Sequence, residues 1–205
     1  MPKSLTSPLD SRKDRAPGPA ARKLVILDRD GVINADSDQF IKSTDEWVPL
    51  PGSLEAIGRL NQAGYRVVVA TNQSGVGRGL FDMATLGAMH AKLSKLAAAV
   101  GGRVDAVFFC PHTAADGCDC RKPKPGLFQE IARRYEIDLT GVPAVGDSLR
   151  DLQAAVAVGA HPHLVLTGKG RKTLAAGDLP DGTRVHDSLQ AFVNDLLADE
   201  DGRHA

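Results

Sequence analysis

Leu24-Val25-Ile26-Leu27-Asp28-Arg29-Asp30-Gly31 is the run from which this 205-residue chain reads most clearly. Four consecutive apolar residues, two of them β-branched, predict a short strand buried on both faces. The run ends in two aspartates spaced i, i+2 and a glycine. Buried parallel strands present their chemistry just past their carboxyl ends. Asp28 therefore falls at the sheet edge and Asp30 just beyond it, while Gly31 permits a sharp bend close to a ligand. Two aspartates after a strand also fit helix capping, so the other strand ends must decide.

Working outward, Ser53 is a good N-cap for a helix with Leu54, Ile57 and Leu60 on one face and Gly64 closing it. A second buried strand, Tyr65 to Ala70, runs into Thr71-Asn72-Gln73-Ser74. Strand, helix and strand at this spacing predict parallel pairing with a right-handed crossover. Thr71 and Asn72 then emerge beside Asp28. Gly75, Gly77 and Gly79, with Arg78 among them, predict a loop suited to a phosphate or sugar. Helices are expected over Met83 to Val100, Phe128 to Tyr135, Asp151 to Ala157 and Ser188 to Leu197. Further strands are expected over Val104 to Phe109, Val142 to Val145 and Leu164 to Leu166. The fourth strand ends in Gly146-Asp147-Ser148, again an acid just past an apolar run. The expected fold is a three-layer α/β/α parallel sheet.

The polar connection from Ala35 to Trp47 has no helical period, and long loops inside compact domains commonly act as lids or substrate loops. Trp47 either anchors that loop on the core or stacks on a ligand. Residues 1–22 contain four prolines and no periodic apolar pattern. They are expected to be a disordered leader or a tag remnant. Residues 23–198 form the domain, with a flexible tail at 199–205.

Lys plus Arg and Asp plus Glu number 25 each, so the net charge is zero. No overall field favours nucleic acid or an anionic membrane. The N-terminal segment has no secretory apolar region, and a cytoplasmic monomer acting on a small molecule is the expectation. Three cysteines lie in Cys110-Pro111-His112 and Cys118-Asp119-Cys120. An odd, clustered set argues against a disulfide framework. Three thiolates and one imidazole form the tetrahedral set that zinc prefers, with no open position, so the metal would be structural. Arg121-Lys122-Pro123-Lys124 follows directly, and the zinc loop would deliver those cations in a fixed place.

The assembled edge presents Asp28, Asp30, Thr71, Asn72, Lys122 and Asp147. Clustered carboxylates repel unless a divalent cation joins them, and few hard oxygen ligands suit magnesium. An aspartate can attack phosphorus to form an aspartyl-phosphate. A second acid can protonate the leaving oxygen and then activate water.

Asp28-x-Asp30-Gly31, Thr71-Asn72, Lys122 and Gly146-Asp147 resemble the four motifs of the haloacid-dehalogenase phosphohydrolases over about residues 23–170. That resemblance implies Asp28 as nucleophile, Asp30 as general acid/base, and Thr71 and Lys122 as phosphoryl-stabilising groups. It also implies Mg²⁺ held by Asp28, the Asp30 carbonyl and Asp147. The zinc loop and the Gln73-Ser74-Gly75-x-x-Arg78-Gly79 run resemble the capless branch of heptose-bisphosphate 7-phosphatases, whose sister group hydrolyses histidinol phosphate. The heptose branch removes a phosphate on the route to nucleotide-activated heptose. By the same resemblance Arg121 would recognise the sugar phosphate. Asp36, Ser37, Asp38 and Gln39, with Thr71, Asn72, Gln73 and Ser74, would line the substrate site. Some members of that branch carry Lys after the fourth-motif Asp, where this chain has Ser148. Asp151 would orient the metal shell or cap a helix.

Overall fold

The computed structural model describes residues 23–204, so the expected leader lies outside the described residues. The opening strand, β1 (Leu24–Leu27), is buried throughout, as four apolar residues in a row require. Helix α1 (Ser53–Gln62) carries the chain to β2 (Arg66–Asn72), which pairs parallel to β1. A single turn, α2 (Ser74–Gly77), precedes α3 (Met83–Ala99) and β3 (Ala106–Cys110). Helix α4 (Gly126–Tyr135), β4 (Pro143–Gly146), α5 (Leu149–Val156) and β5 (His161–Val165) follow. The chain then forms α6 (Gly170–Ala176), β6 (Arg184–His186) and α7 (Leu189–His204).

All six strands are parallel, in the order β3-β2-β1-β4-β5-β6. The order reverses between β1 and β4, and ligands of such sheets bind beyond the carboxyl ends at that crevice. Alternate residues of the central strands feed two cores. Val25, Leu27, Val67 and Val69 pack with residues of α1, α3 and α7, including Leu60, Leu93 and Phe192. Leu24, Ile26, Val68 and Ala70 face Leu127, Ile131 and Ala155 of α4 and α5. The expected three-layer α/β/α fold is therefore present. Among the described residues no helix is long and apolar enough to cross a membrane.

Several boundaries differ from expectation. Ser53 does not cap α1: Gly52 holds that position with φ 75°, and the Ser53 hydroxyl donates to the Ile33 carbonyl across 2.6 Å. Gly64, with φ 85°, takes the expected closing position. The glycine-rich run is not an open loop. Ser74–Gly77 forms a helical turn, and a Cβ on Gly75 would lie 2.2 Å from the Phe81 ring. One on Gly77 would lie 2.6 Å from the Pro111 carbonyl oxygen, so these glycines serve close packing. The last helix runs on to His204, past the expected end at Leu197 and through most of the segment expected to be a flexible tail. Helix α6 and β6 were not legible beforehand. Trp47 is fully buried in the core, and Lys92 Nζ donates to its carbonyl across 2.8 Å, which fixes the 35–47 connection as an anchored loop.

Candidate active site

Asp28 leaves the end of β1, and Lys122 approaches beneath it from the loop after β3. The Lys122 ammonium donates to the Ala70 carbonyl (2.7 Å) and lies 3.0 Å from Asp28 Oδ1 and 2.7 Å from Asp151 Oδ1. Three acceptors match the three donors of an ammonium, and the side chain is almost wholly buried. Asn72 brackets this lysine: its Nδ2 donates to the Lys122 carbonyl (3.0 Å) and its Oδ1 accepts from the Lys122 amide (3.1 Å). Burial opposes charge on Lys122, but the Asp151 and Asp28 carboxylates outweigh it and hold the ammonium above its ordinary range.

The carboxylates divide by environment. Burial, eased by Lys122, pushes Asp28 up to about 6. Burial, with Asp151 and Asp28 adding repulsion, pushes Asp147 up to about 8. Asp151 is buried too, yet Lys122 and Arg150 outweigh that and lower it. Asp147 is walled in by backbone. A Cβ on Gly31, where φ is 81°, would sit 2.0 Å from Asp147 Oδ2, and one on Gly168 would sit 2.2 Å from it. The Lys169 amide donates to Asp147 Oδ2 across 2.8 Å, while the buried Oδ1 has no hydrogen-bond partner among the described residues. Ligand atoms of Asp28, Asp147 and Asp151 all lie within 4.8 Å of one another. A buried carboxylate oxygen without a donor, among mutually repelling acids, fits a hard divalent cation.

Asp30 faces the cleft and accepts from three side chains. Asn34 Nδ2 donates to Oδ1 (2.8 Å), Gln73 Nε2 to Oδ2 (2.8 Å), and Arg29 Nη2 reaches both oxygens (3.0 and 3.1 Å). Gln73 Nε2 also donates to Thr71 Oγ1 (2.9 Å), tying the end of β2 to the loop after β1. Ser148 caps α5 in a reciprocal box with Asp151, its hydroxyl donating to the Asp151 carboxylate. Asp151 is thus both a helix cap and the partner of Lys122.

The predicted substrate residues are largely gathered. Asp28, Asp30, Asp36, Ser37, Asp38, Thr71, Asn72, Gln73, Ser74, Arg78 and Arg121 line one cleft. Gln39 does not; it is exposed, and its backbone N–H donates to Ser37 Oγ. Arg78 lies over the Phe40 ring, 5.7 Å from the centroid. The four metal-type residues of the cysteine loop also converge. Sulfur separations are 3.2, 3.5 and 3.6 Å, and His112 Nδ1 lies 3.3 Å from Cys120 Sγ and 3.6 Å from Cys110 Sγ. Such edges are close to those of a tetrahedron with metal–sulfur distances of about 2.3 Å.

A protein from Bordetella bronchiseptica named D-glycero-beta-D-manno-heptose-1,7-bisphosphate 7-phosphatase is 65% identical over 175 residues, covering 85% of this chain and 98% of its own. This chain belongs to the heptose-1,7-bisphosphate 7-phosphatase family. A Pseudomonas aeruginosa relative of the same name is 56% identical over 177 residues, covering 86% and 99%. The phosphatase also matches family models described as polynucleotide kinase 3 phosphatase, over residues 23–150, and HAD-hydrolase-like, over residues 119–192. The solved B. bronchiseptica phosphatase, complexed with magnesium and phosphate, superposes with a TM-score of 0.86 at 64% identity, covering 86% of this chain and 99% of that one.

Four residues of the phosphatase cleft escaped the sequence reading. Arg29 is fully buried beneath Asp30. Arg150 lines the cleft with its Nε buried and unpartnered among the described residues. Lys169 also lines it, and its ammonium lies 2.8 Å from Asp36 Oδ2. Asn34 is the fourth, through its bond to Asp30. Arg29 and Asn34 had a signal in their adjacency to the Asp28 motif; Arg150 and Lys169 follow the ends of the fourth and fifth strands.

Proposed function

We propose that the phosphatase hydrolyses the 7-phosphate of D-glycero-D-manno-heptose 1,7-bisphosphate through a covalent intermediate on Asp28. The observation carrying the bisphosphate reading is the cleft's cation supply. Lys122 is committed to Asp28 and Asp151, while Arg78, Arg121 and Arg150 line the cleft together with Lys169, which pairs with Asp36, and a second phosphate would meet these cations. The identity with relatives of that name supports the same substrate.

Asp28 would attack phosphorus as the bond to the sugar oxygen breaks, and Asp30 would give its proton to that departing oxygen. In the second half Asp30 would take a proton from water, which attacks phosphorus and releases Asp28 and inorganic phosphate. Lys122 and the Thr71 hydroxyl would meet the charge on the transferring oxygens. Arg29, Asn34 and Gln73 would aim the Asp30 carboxyl at the sugar oxygen. Asp28, Asp147 and the Asp30 carbonyl would hold Mg²⁺, which supplies charge neutralisation of the phosphoryl group. Cys110, His112, Cys118 and Cys120 would hold a structural zinc ion whose loop presents Arg121 and Lys122.

Steady-state kinetics on heptose 1,7-bisphosphate, fructose 1,6-bisphosphate and histidinol phosphate test the assignment. The expected kcat/KM is highest for the heptose substrate. A preference for histidinol phosphate would overturn the heptose reading while leaving the phosphatase chemistry intact.

A further inference from the structure

A third group of metal-type side chains lies across β5, β6 and α7, away from the catalytic cleft. His161 and His163 project from the same face of β5, and His186 follows from β6. Their rings form an unbroken chain. His161 Nδ1 lies 3.1 Å from His163 Nε2, His163 Nδ1 lies 3.0 Å from His186 Nε2, and His186 Nδ1 lies 2.7 Å from Asp195 Oδ2 of α7. Phe192 packs edge-on against both inner rings, with centroids at 4.7 and 5.5 Å, and limits their rotation.

The carboxylate at the end sets the protons along the chain. Asp195 can only accept, so His186 carries its hydrogen on Nδ1. With the rings neutral, His186 Nε2 accepts from His163 Nδ1, and His163 Nε2 is left as a lone pair. That lone pair faces His161 Nδ1, beside a cavity of about 590 Å³ lined also by Arg184, Asp199 and Glu200. Asp199 pairs with Arg184, and Glu200 with Lys23 and Tyr65. Burial pushes His163 down to about 3, so the ring is neutral at physiological pH. Two imidazole nitrogens 3.1 Å apart are close to the edge of a tetrahedron with metal–nitrogen distances of about 2.0–2.1 Å. A ligating histidine is normally oriented by donating its other ring N–H to an acceptor. His163 does so to His186, which passes the hydrogen bond to Asp195.

We propose that His161 Nδ1 and His163 Nε2 bind a late first-row divalent ion such as Zn²⁺ or Ni²⁺, with water from the cavity completing its shell and His186 and Asp195 acting as positioning residues. Imidazole donors select this class of ion over Mg²⁺. The site shares no residue with the catalytic cleft or the cysteine loop, so its occupancy is separable from turnover.

The test is calorimetric titration with Ni²⁺ of untagged, zinc-loaded full-length protein in saturating Mg²⁺, with zinc release measured in parallel. Wild type should take up one Ni²⁺ without losing zinc. His161→Ala, which alters the accessible end of the chain rather than its buried part, should weaken uptake at least tenfold while leaving kcat unchanged. Asp195→Asn should keep the site but weaken it about 10–100-fold. Superimposable isotherms for wild type and His161→Ala, no uptake by wild type, or uptake equal to the zinc displaced would each overturn the proposal.

Discussion

The Lys122 ammonium lies 2.7 Å from Asp151 Oδ1, with both side chains almost completely buried. The pair joins the segment that follows the cysteine loop to α5, beside the proposed nucleophile. Removing Asp151 leaves the buried ammonium with Asp28 as its one carboxylate and takes away the cap of α5. Asp151→Ala should therefore destabilise the fold by about 3–5 kcal/mol. Urea denaturation of the variant against wild type measures this, and an unchanged midpoint would contradict it.

Asp28→Asn should abolish turnover and labelling of the protein by substrate phosphate. Asp30→Asn should retain substrate binding and lose about 10²–10⁴-fold in kcat, the range for a general acid/base. Acid-quench trapping of phosphorylated protein separates the two variants. Label retained in Asp28→Asn would refute the covalent route through that carboxylate.

Gly31→Ala should eliminate Mg²⁺-dependent activity. The residue has φ 81°, and its Cβ would lie 2.0 Å from Asp147 Oδ2, so the acid must leave its position. Titrating activity with Mg²⁺ checks this. A wild-type response would mean that the Asp147 oxygen is not where the metal binds.

Metal-free protein should lose stability as pH rises from about 6 to 8. Asp147 is pushed up to about 8 from 3.8, so the folded state holds a proton that the unfolded chain has released. The contribution of such a group is complete below the unfolded pKa and is lost as pH rises through the folded one. Mg²⁺ must displace that proton, so its affinity should rise across the same interval. Melting temperatures with and without Mg²⁺ at pH 6 and pH 8 test the sign; a smaller Mg²⁺ effect at pH 8 would contradict it.

Stripping the cysteine loop of zinc should abolish activity even with Mg²⁺ in excess. That loop is partly exposed and leads directly into Arg121, which lines the cleft, and Lys122, which meets Asp28. Metal analysis before and after chelation should show one zinc per chain lost in step with kcat. Full activity in zinc-free protein would show that the loop holds its shape unaided.

Legibility followed the distance over which information must travel. Asp28, Thr71, Asn72 and Asp147 stand immediately after apolar runs, so local patterning alone assigns them to one sheet edge. The cysteine quartet is equally local, lying within residues 110–120. Parallel pairing follows from the strand-and-helix alternation, which excludes hairpins. What the chain's order could not supply is the identity of partners from separate elements. Asp151 meets Lys122 because β4 lies beside β1, and Lys169 reaches Asp36 because the loop after β5 folds over the loop after β1. Gly75 and Gly77 read as a ligand loop because their crowding by Phe81 and Pro111 exists only after packing. The histidine chain likewise needs β5, β6 and α7 in register. Local hydrophobic pattern specifies which residues reach the edge; the strand order and the close packing of loops specify whom they meet there.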